Sequence, residues 1–211
     1  MKSITIILLV LNGFCCFAAD ETNIIVASDW SEPVGVDYAV RGRLLIVSGN
    51  EPAYGGPQTE DLTMMFVELQ NRSLASLKLY FDVMGLKCEL KDGSGKSAPE
   101  PQGGAWGGRG PFSPSWVVLP YNCTTRLFVN SGGKSPLRIC PGGAPWAYWS
   151  IPSSDTNVYF LSGTLKISTP TNATLTATPQ WTAGPHEYAE WKGTLVFPKA
   201  KISASQVAKQ K

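Results

Sequence analysis

"LKLYFDVMGLKCELKDGSGK", Leu77 to Lys96, decides the fold class. Leu77, Leu79, Phe81 and Val83 alternate with Lys78, Tyr80 and Asp82, and Leu86, Cys88 and Leu90 alternate with Lys87, Glu89 and Lys91. Successive side chains of an extended chain point to opposite faces, so a period of two sorts apolar from polar residues across a strand. On this pattern Cys88 points inward as a small hydrophobe. Asp92-Gly93 then ends the run with turn chemistry. Working outward, "TTRLFVN" (Thr124 to Asn130), "TNVYFLSGTLKIS" (Thr156 to Ser168), "NATLTATP" (Asn172 to Pro179) and "EWKGTLVFP" (Glu190 to Pro198) also read as strands. "RLLIVSG" and "LTMMFVEL" are continuous apolar runs that suit strands covered on both faces, with Gly49-Asn50 and Asn71 to Ser73 near their ends.

No segment sustains a helical period, and 16 prolines and 21 glycines scattered between short runs would break helices repeatedly. The polar tail Ala204 to Lys211 is the single helix candidate, and a terminus of that kind is more often frayed. Strands at short regular spacing with turn residues between them indicate a sandwich or a barrel. The expectation is an all-β protein, a single antiparallel β-sandwich with long Gly/Pro-rich loops.

The N-terminus reads as an export signal. Lys2 provides a positive start, Ile4 to Leu11 an apolar stretch, and Cys16-Phe17-Ala18 small residues at −3 and −1 of a cleavage site, with cutting after Ala18 or Ala19. The apolar stretch is shorter than the about 20 residues a membrane helix needs, and glycine, proline or charge interrupts every later one. Residues 1–19 are thus expected to be a signal peptide, 20–203 the β-sandwich and 204–211 a polar tail. Cys15 and Cys16 raise a lipoprotein reading, but Phe14 before Cys15 does not suit lipid attachment. The expected location is secreted or periplasmic, with no membrane span.

Charge is nearly balanced, 18 basic against 16 acidic residues, which argues against nucleic acid as a partner. Beyond the signal, Cys88, Cys123 and Cys140 remain. They lack the close paired spacing of a zinc site, and His186 alone cannot complete one, so no metal or cofactor is expected. An oxidising compartment suits one disulfide and one free thiol; Cys123 and Cys140, both beside Pro- and Gly-containing loops, are the favoured pair.

The segment from Leu62 to Asn130 runs as "VELQNRS", a strand, a turn at Asp92-Gly93, and "VVLPYNCTTRLFVN". This order resembles Ig-like sandwich modules of exported proteins, in which a strand ending in Leu-x-Asn precedes a Asp-Gly turn and a Leu-Pro segment. The whole chain also resembles secreted bacterial proteins with no assigned activity. The resemblance implies an Ig-like sandwich, although the Cys…Trp…Cys spacing of antibody domains is absent.

Two stretches look like sites. "GGAWGGRGPFSPSW", Gly103 to Trp116, is a long glycine-rich connection, but Pro111, Pro114 and a strand-like "WVVLP" follow it where a phosphate-binding loop would open a helix. It is read as a connector. "PGGAPWAYWSIP" clusters Trp146, Tyr148 and Trp149; with Trp106 these rings could form a platform for sugars, or could pack inside. "GPHEYAEW" offers His186, Glu187 and Glu190 without the second histidine of a zinc helix, and Glu60, Asp61, Asp92 and Asp155 sit at turns where they bond local backbone. Asn71, Asn122 and Asn172 each open an Asn-x-Ser/Thr glycan acceptor pattern. The functional expectation is an exported, non-enzymatic protein that acts by binding or structure at the cell envelope, on a polysaccharide or another envelope protein. A carbohydrate-binding module using the exposed aromatic residues is the alternative.

Overall fold

A computed structural model describes residues 24–35, 37, 39–52, 59–103, 114–133, 136–143, 147–170 and 188–203, with backbone alone for 49–52, 59–62 and 133. The strands are β1 (Ile24–Ala27), β2 (Val40–Pro52), β3 (Thr59–Asn71), β4 (Leu77–Phe81), β5 (Leu86–Asp92), β6 (Ser115–Leu119), β7 (Thr124–Gly133), β8 (Leu137–Ile139), β9 (Trp149–Ile151), β10 (Val158–Ile167), β11 (Ala189–Glu190) and β12 (Gly193–Ser203). They pair in four sheets, ordered β1-β2-β3-β7, β12-β10-β5, β11-β4-β6 and β8-β9. Every pairing is antiparallel except β11 with β4. The protein is all-β, as the alternation requires.

The opening stretch forms two strands rather than one. Asp82 ends β4 by accepting the Met84 amide at 2.9 Å, which caps a single 3-10 turn, Val83–Gly85. Gly85 follows because a Cβ there would overlap the Lys166 carbonyl of β10. Val83 stays buried through the turn, so the apolar pattern runs on while the backbone changes direction and β5 enters a different sheet from β4. Leu86 and Leu90 are buried, Lys87 and Glu89 are exposed, and Cys88 packs half-buried against the core.

All four sheets contribute to one cluster of buried side chains, with Leu44, Val67, Leu79, Leu86, Leu119, Val129, Ile139, Trp149, Leu165 and Phe197 among its members. β2 is covered on both faces, as its unbroken apolar run suggests: Leu44 and Ile46 join the shared core, while Leu45 and Val47 are buried on the opposite face. Gly49-Asn50 does not end β2, which continues to Pro52 opposite Thr59. Nor does Pro198 end β12. The pairing with β10 passes from Gly163↔Phe197 to Leu161↔Ala200, so one extra residue bulges out around Pro198 and Lys199. The bulge accommodates a residue with no N–H, and turns Ala200 and Ile202 back inward in the phase of Leu195 and Phe197.

Asn71 locks one end of the assembly. It is fully buried, and its Nδ2 donates to the carbonyls of Ala75 (2.8 Å), Leu119 (3.0 Å) and Pro120 (3.2 Å), while Oδ1 accepts from the Ser73 amide at 2.9 Å. Thus the Asn at the end of β3 is bonded to the Leu-Pro at the end of β6, the two positions that carried the resemblance. It also leaves Asn71 no room for a glycan in the folded protein, whereas Asn122 lies exposed in a turn with φ of 51°.

Candidate functional site

Of the residues that the sequence marks as an aromatic platform, Tyr148 and Trp149 lie among the described residues. Trp149 is 8 % exposed and belongs to the core, pointing inward with Ile151 while Ser150 points out. It cannot stack on a sugar, because its ring already packs against apolar side chains. Tyr148 is half-buried, with the Arg138 guanidinium 4.7 Å from its ring centroid. Its backbone exchanges hydrogen bonds of 2.8 and 2.7 Å with Gln102, which precedes the glycine-rich stretch. Trp106, Trp146, Arg109, His186 and Glu187 lie outside the described residues, as do the expected strand Asn172 to Pro179, residues 1–19 and the tail 204–211. Trp116 is half-buried on β6, edge-on to Tyr80 at 5.4 Å and under the Lys78 ammonium at 5.2 Å.

The expected Cys123–Cys140 bridge is not present, and no disulfide joins Cys88, Cys123 or Cys140 in this structure. Cys123 precedes the first residue of β7, whereas the Cys140 thiol bonds the side chain of Asn130 near the other end of that strand. Seven positions of extended chain separate them, about 20 Å at roughly 3.3 Å per residue, against a Cα spacing of at most about 7 Å for a disulfide.

Asp92 and Asp155 sit at turns and serve the backbone, as their positions suggest, but Glu60 and Asp61 do not: they lie within β3, opposite Glu51 and Asn50 of β2, because the strand pairing runs on past the polar residues. Asp92 Oδ1 accepts from the Ser94 hydroxyl (2.6 Å), the Ser94 amide (2.9 Å) and the Lys96 amide (3.0 Å). These bonds, the Ser94 hydroxyl foremost, hold its carboxyl below the ordinary aspartate range. Asp155 accepts from the Asn157 amide and the Tyr159 hydroxyl, each at 2.8 Å. Burial, and then the bond to Asp155, push the Tyr159 phenol up. Glu190 stands 3.8 Å from Lys192.

Charge converges instead on the face of the β1-β2-β3-β7 sheet turned away from the shared core. Register places Arg43, Glu68 and Arg126 side by side in one row across β2, β3 and β7. Glu68 is 3 % exposed, and each carboxylate oxygen accepts one guanidinium: Arg43 Nε at 2.5 Å on Oε2 and Arg126 Nε at 2.7 Å on Oε1. In the next row Arg41 Nε donates to Gln70 Oε1 at 2.7 Å. Trp30, which follows β1, lies against both β2 arginines, whose guanidiniums stand 4.7 Å (Arg41) and 4.6 Å (Arg43) from its ring centroid. Phe66 and Phe128 meet edge-on at 5.6 Å in the row beyond Glu68.

This arrangement is a cation-rich, largely buried cluster. Both Glu68 oxygens are committed to arginine. Two guanidiniums share the Glu68 carboxylate while Arg41 bonds the neutral Gln70, and Arg126 Nη1 is buried without a hydrogen-bond partner. A guanidinium offers five donors in a planar fork that suits carboxylate or phosphate, and each of the three has only its Nε bonded among the described residues. Among the described residues, no group of three His, Cys, Asp or Glu could hold a metal ion. No helix among them is long and apolar enough to cross a membrane.

None of this cluster stood out in the sequence. "RGRLL" shows Arg41 and Arg43 on one face of a strand, but nothing in one dimension says that Glu68 and Arg126, 25 and 58 residues away along their hydrogen bonds, share that row. Comparison of the chain with protein-family models, with curated proteins and with solved structures finds no match.

Proposed function

We propose that the chain is an exported Ig-like β-sandwich that acts by binding at the cell envelope rather than by catalysis, and that it takes an anionic polymer on the face bearing Trp30, Arg41 and Arg43. The observation that carries this reading is the pair of half-buried β2 guanidiniums, Arg41 and Arg43, both held on the Trp30 ring with only their Nε bonded among the described residues, beside a Glu68 already saturated by Arg43 and Arg126. An anionic oxygen at this face would meet guanidinium edges already oriented by Glu68, Gln70 and Trp30, so little ordering cost remains on binding. The Trp30 ring serves the arginines as a cation–π partner. That favours a carboxylate- or phosphate-bearing ligand over a neutral sugar stacked on indole. The neutral-sugar alternative loses Trp149 to the core.

Calorimetric titration tests the reading. Oligogalacturonate, a uronate polymer, should bind with an affinity that falls as salt rises, and neutral maltooligosaccharides should not bind. Arg41→Gln should weaken the uronate at least tenfold while leaving the Arg43–Glu68–Arg126 row intact. Equal binding of charged and neutral oligomers, or no change in the Arg41→Gln variant, would overturn it.

A further inference from the structure

Cys88 and Cys140 lie on neighbouring backbones. The Cys88 amide donates to the carbonyl of Pro141, the residue after Cys140, at 2.6 Å. Gly142 and Gly143 then turn the chain with φ of 72° and 63°, and a Cβ at Gly142 would overlap the carbonyl of Leu86. Only glycine lets the segment after Cys140 lie this close to β5. Opposite Cys88, across the β5–β10 pairing, stands Gly163, and the Cys88 sulfur is 3.1 Å from where a Gly163 Cβ would be. The missing side chain leaves the sulfur room on the core side, where Cys88 packs against the cluster that contains Cys140. Each thiol is also affected by its surroundings: burial pushes both up, and Cys88 further through the neighbouring Cys140.

We infer that Cys88 and Cys140 are a disulfide-forming pair, bridging β5 to the segment after β8, with Cys123 the thiol left over. The Cys88 amide bonds Pro141, which puts Cys140 one residue off the bonded position with both cysteines packed on the same cluster, and a disulfide spans Cα atoms up to about 7 Å apart. The oxidant is a small-molecule disulfide. Cys140 attacks it as the thiolate, helped by the Gly142 amide that donates to its sulfur at 3.3 Å, forming a mixed disulfide and releasing one small thiol. Cys88 loses its proton to solvent and attacks the Cys140 sulfur, forming the protein disulfide and releasing the second small thiol. Two protein thiols are oxidised, and one small disulfide is reduced to two thiols. Because burial disfavours both thiolates, the bridge forms while the chain folds and is slow to form in the folded, reduced protein. The inference does not depend on the ligand or on export.

The test is refolding of the full chain in a glutathione–glutathione disulfide buffer, followed by alkylation, trypsin digestion and mass spectrometry without reduction. Cys88, Cys140 and Cys123 fall on separate tryptic peptides, Cys88 to Lys91, Ile139 to Lys166 and Gly110 to Arg126, all distinct from the Ser3 to Arg41 peptide that carries Cys15 and Cys16. The expected result is a linked Cys88–Lys91 and Ile139–Lys166 pair in the wild type and in Cys123→Ser, with its loss in Cys88→Ser. Refolded Cys123→Ser should oxidise at least tenfold faster during folding than when the disulfide is added after reduced folding, with circular dichroism confirming the β structure in each case. A bridge to Cys123, or alkylated Cys88 and Cys140 in the refolded wild type, would overturn the pairing.

Discussion

Replacing Glu68 by leucine should be among the most damaging single substitutions outside the core. Glu68 is 3 % exposed and holds two guanidiniums, one from each neighbouring strand, with side-chain exposures of 23 % for Arg43 and 14 % for Arg126. Its removal leaves like charges in one row with no anion between them. Breaking a buried ion pair by removing one partner costs about 3–5 kcal/mol, and the partial exposure of Arg43 sets the expected loss near the lower end, about 3 kcal/mol. With a urea m-value of about 1–3 kcal/mol/M, the midpoint should fall by about 1–3 M. The matched control replaces the row by Arg43→Met, Glu68→Leu and Arg126→Met together. Apolar replacement of a whole buried triad is often neutral or stabilising, so this variant should recover most of the loss. Urea titrations followed by circular dichroism would measure both. A Glu68→Leu midpoint within about 0.3 M of wild type, or a triple variant no more stable than the single one, would refute the assignment of Glu68 as the electrostatic hub of this face.

Asn71→Ala should cost about 1–3 kcal/mol, because three carbonyls lose the Nδ2 donor that ties β3 to the end of β6, and a midpoint unchanged in denaturant would contradict this. Expression in a glycosylating host should leave Asn71 unmodified by peptide mass, and a glycan there on folded protein would contradict its burial. Leu90→Ala should lower stability by about 2–5 kcal/mol through lost burial and a cavity, whereas Lys87→Ala on the exposed face should stay within about 0.5 kcal/mol; equal effects would mean that β5 does not have the faces seen here. Asp92 has a folded pKa below its ordinary value of 3.8, so its ionised form contributes stability that is present above that value and lost as pH falls through the lower folded one. Wild type should therefore exceed Asp92→Asn in thermal midpoint at pH 7 and lose that advantage near pH 2; a gap constant across this range would refute the turn as its source.

Period-two alternation was enough to read the fold class and most strands, because one-sided burial writes itself into sequence wherever a strand has a wet face. It misplaced boundaries where side chains and backbone geometry intervene. Val83 continues the apolar phase but occupies a capped turn, and Pro198 looks like a strand end but lies in a bulge. The inward position of Trp149 was legible in "WSIP", since Trp149 and Ile151 flank the outward Ser150, and packing inside was one of the two readings the aromatic cluster allowed. Cys88 was read correctly as core-facing, but its neighbour was not: pairing depends on which strands adjoin, and loop composition carried no information on that. The arginine row was hidden for the same reason, being a property of register across three strands rather than of any one of them.

The most direct test of the binding account is 19F NMR of the protein labelled with 5-fluorotryptophan, with the Trp30 resonance assigned by Trp30→Phe. Titration with oligogalacturonate should shift the Trp30 signal at concentrations where the Trp149 and Trp191 signals, from rings buried in the core, stay in place. The shift should vanish in Arg41→Gln. A Trp30 signal that stays fixed while the polymer binds would contradict the assignment of this face as the site.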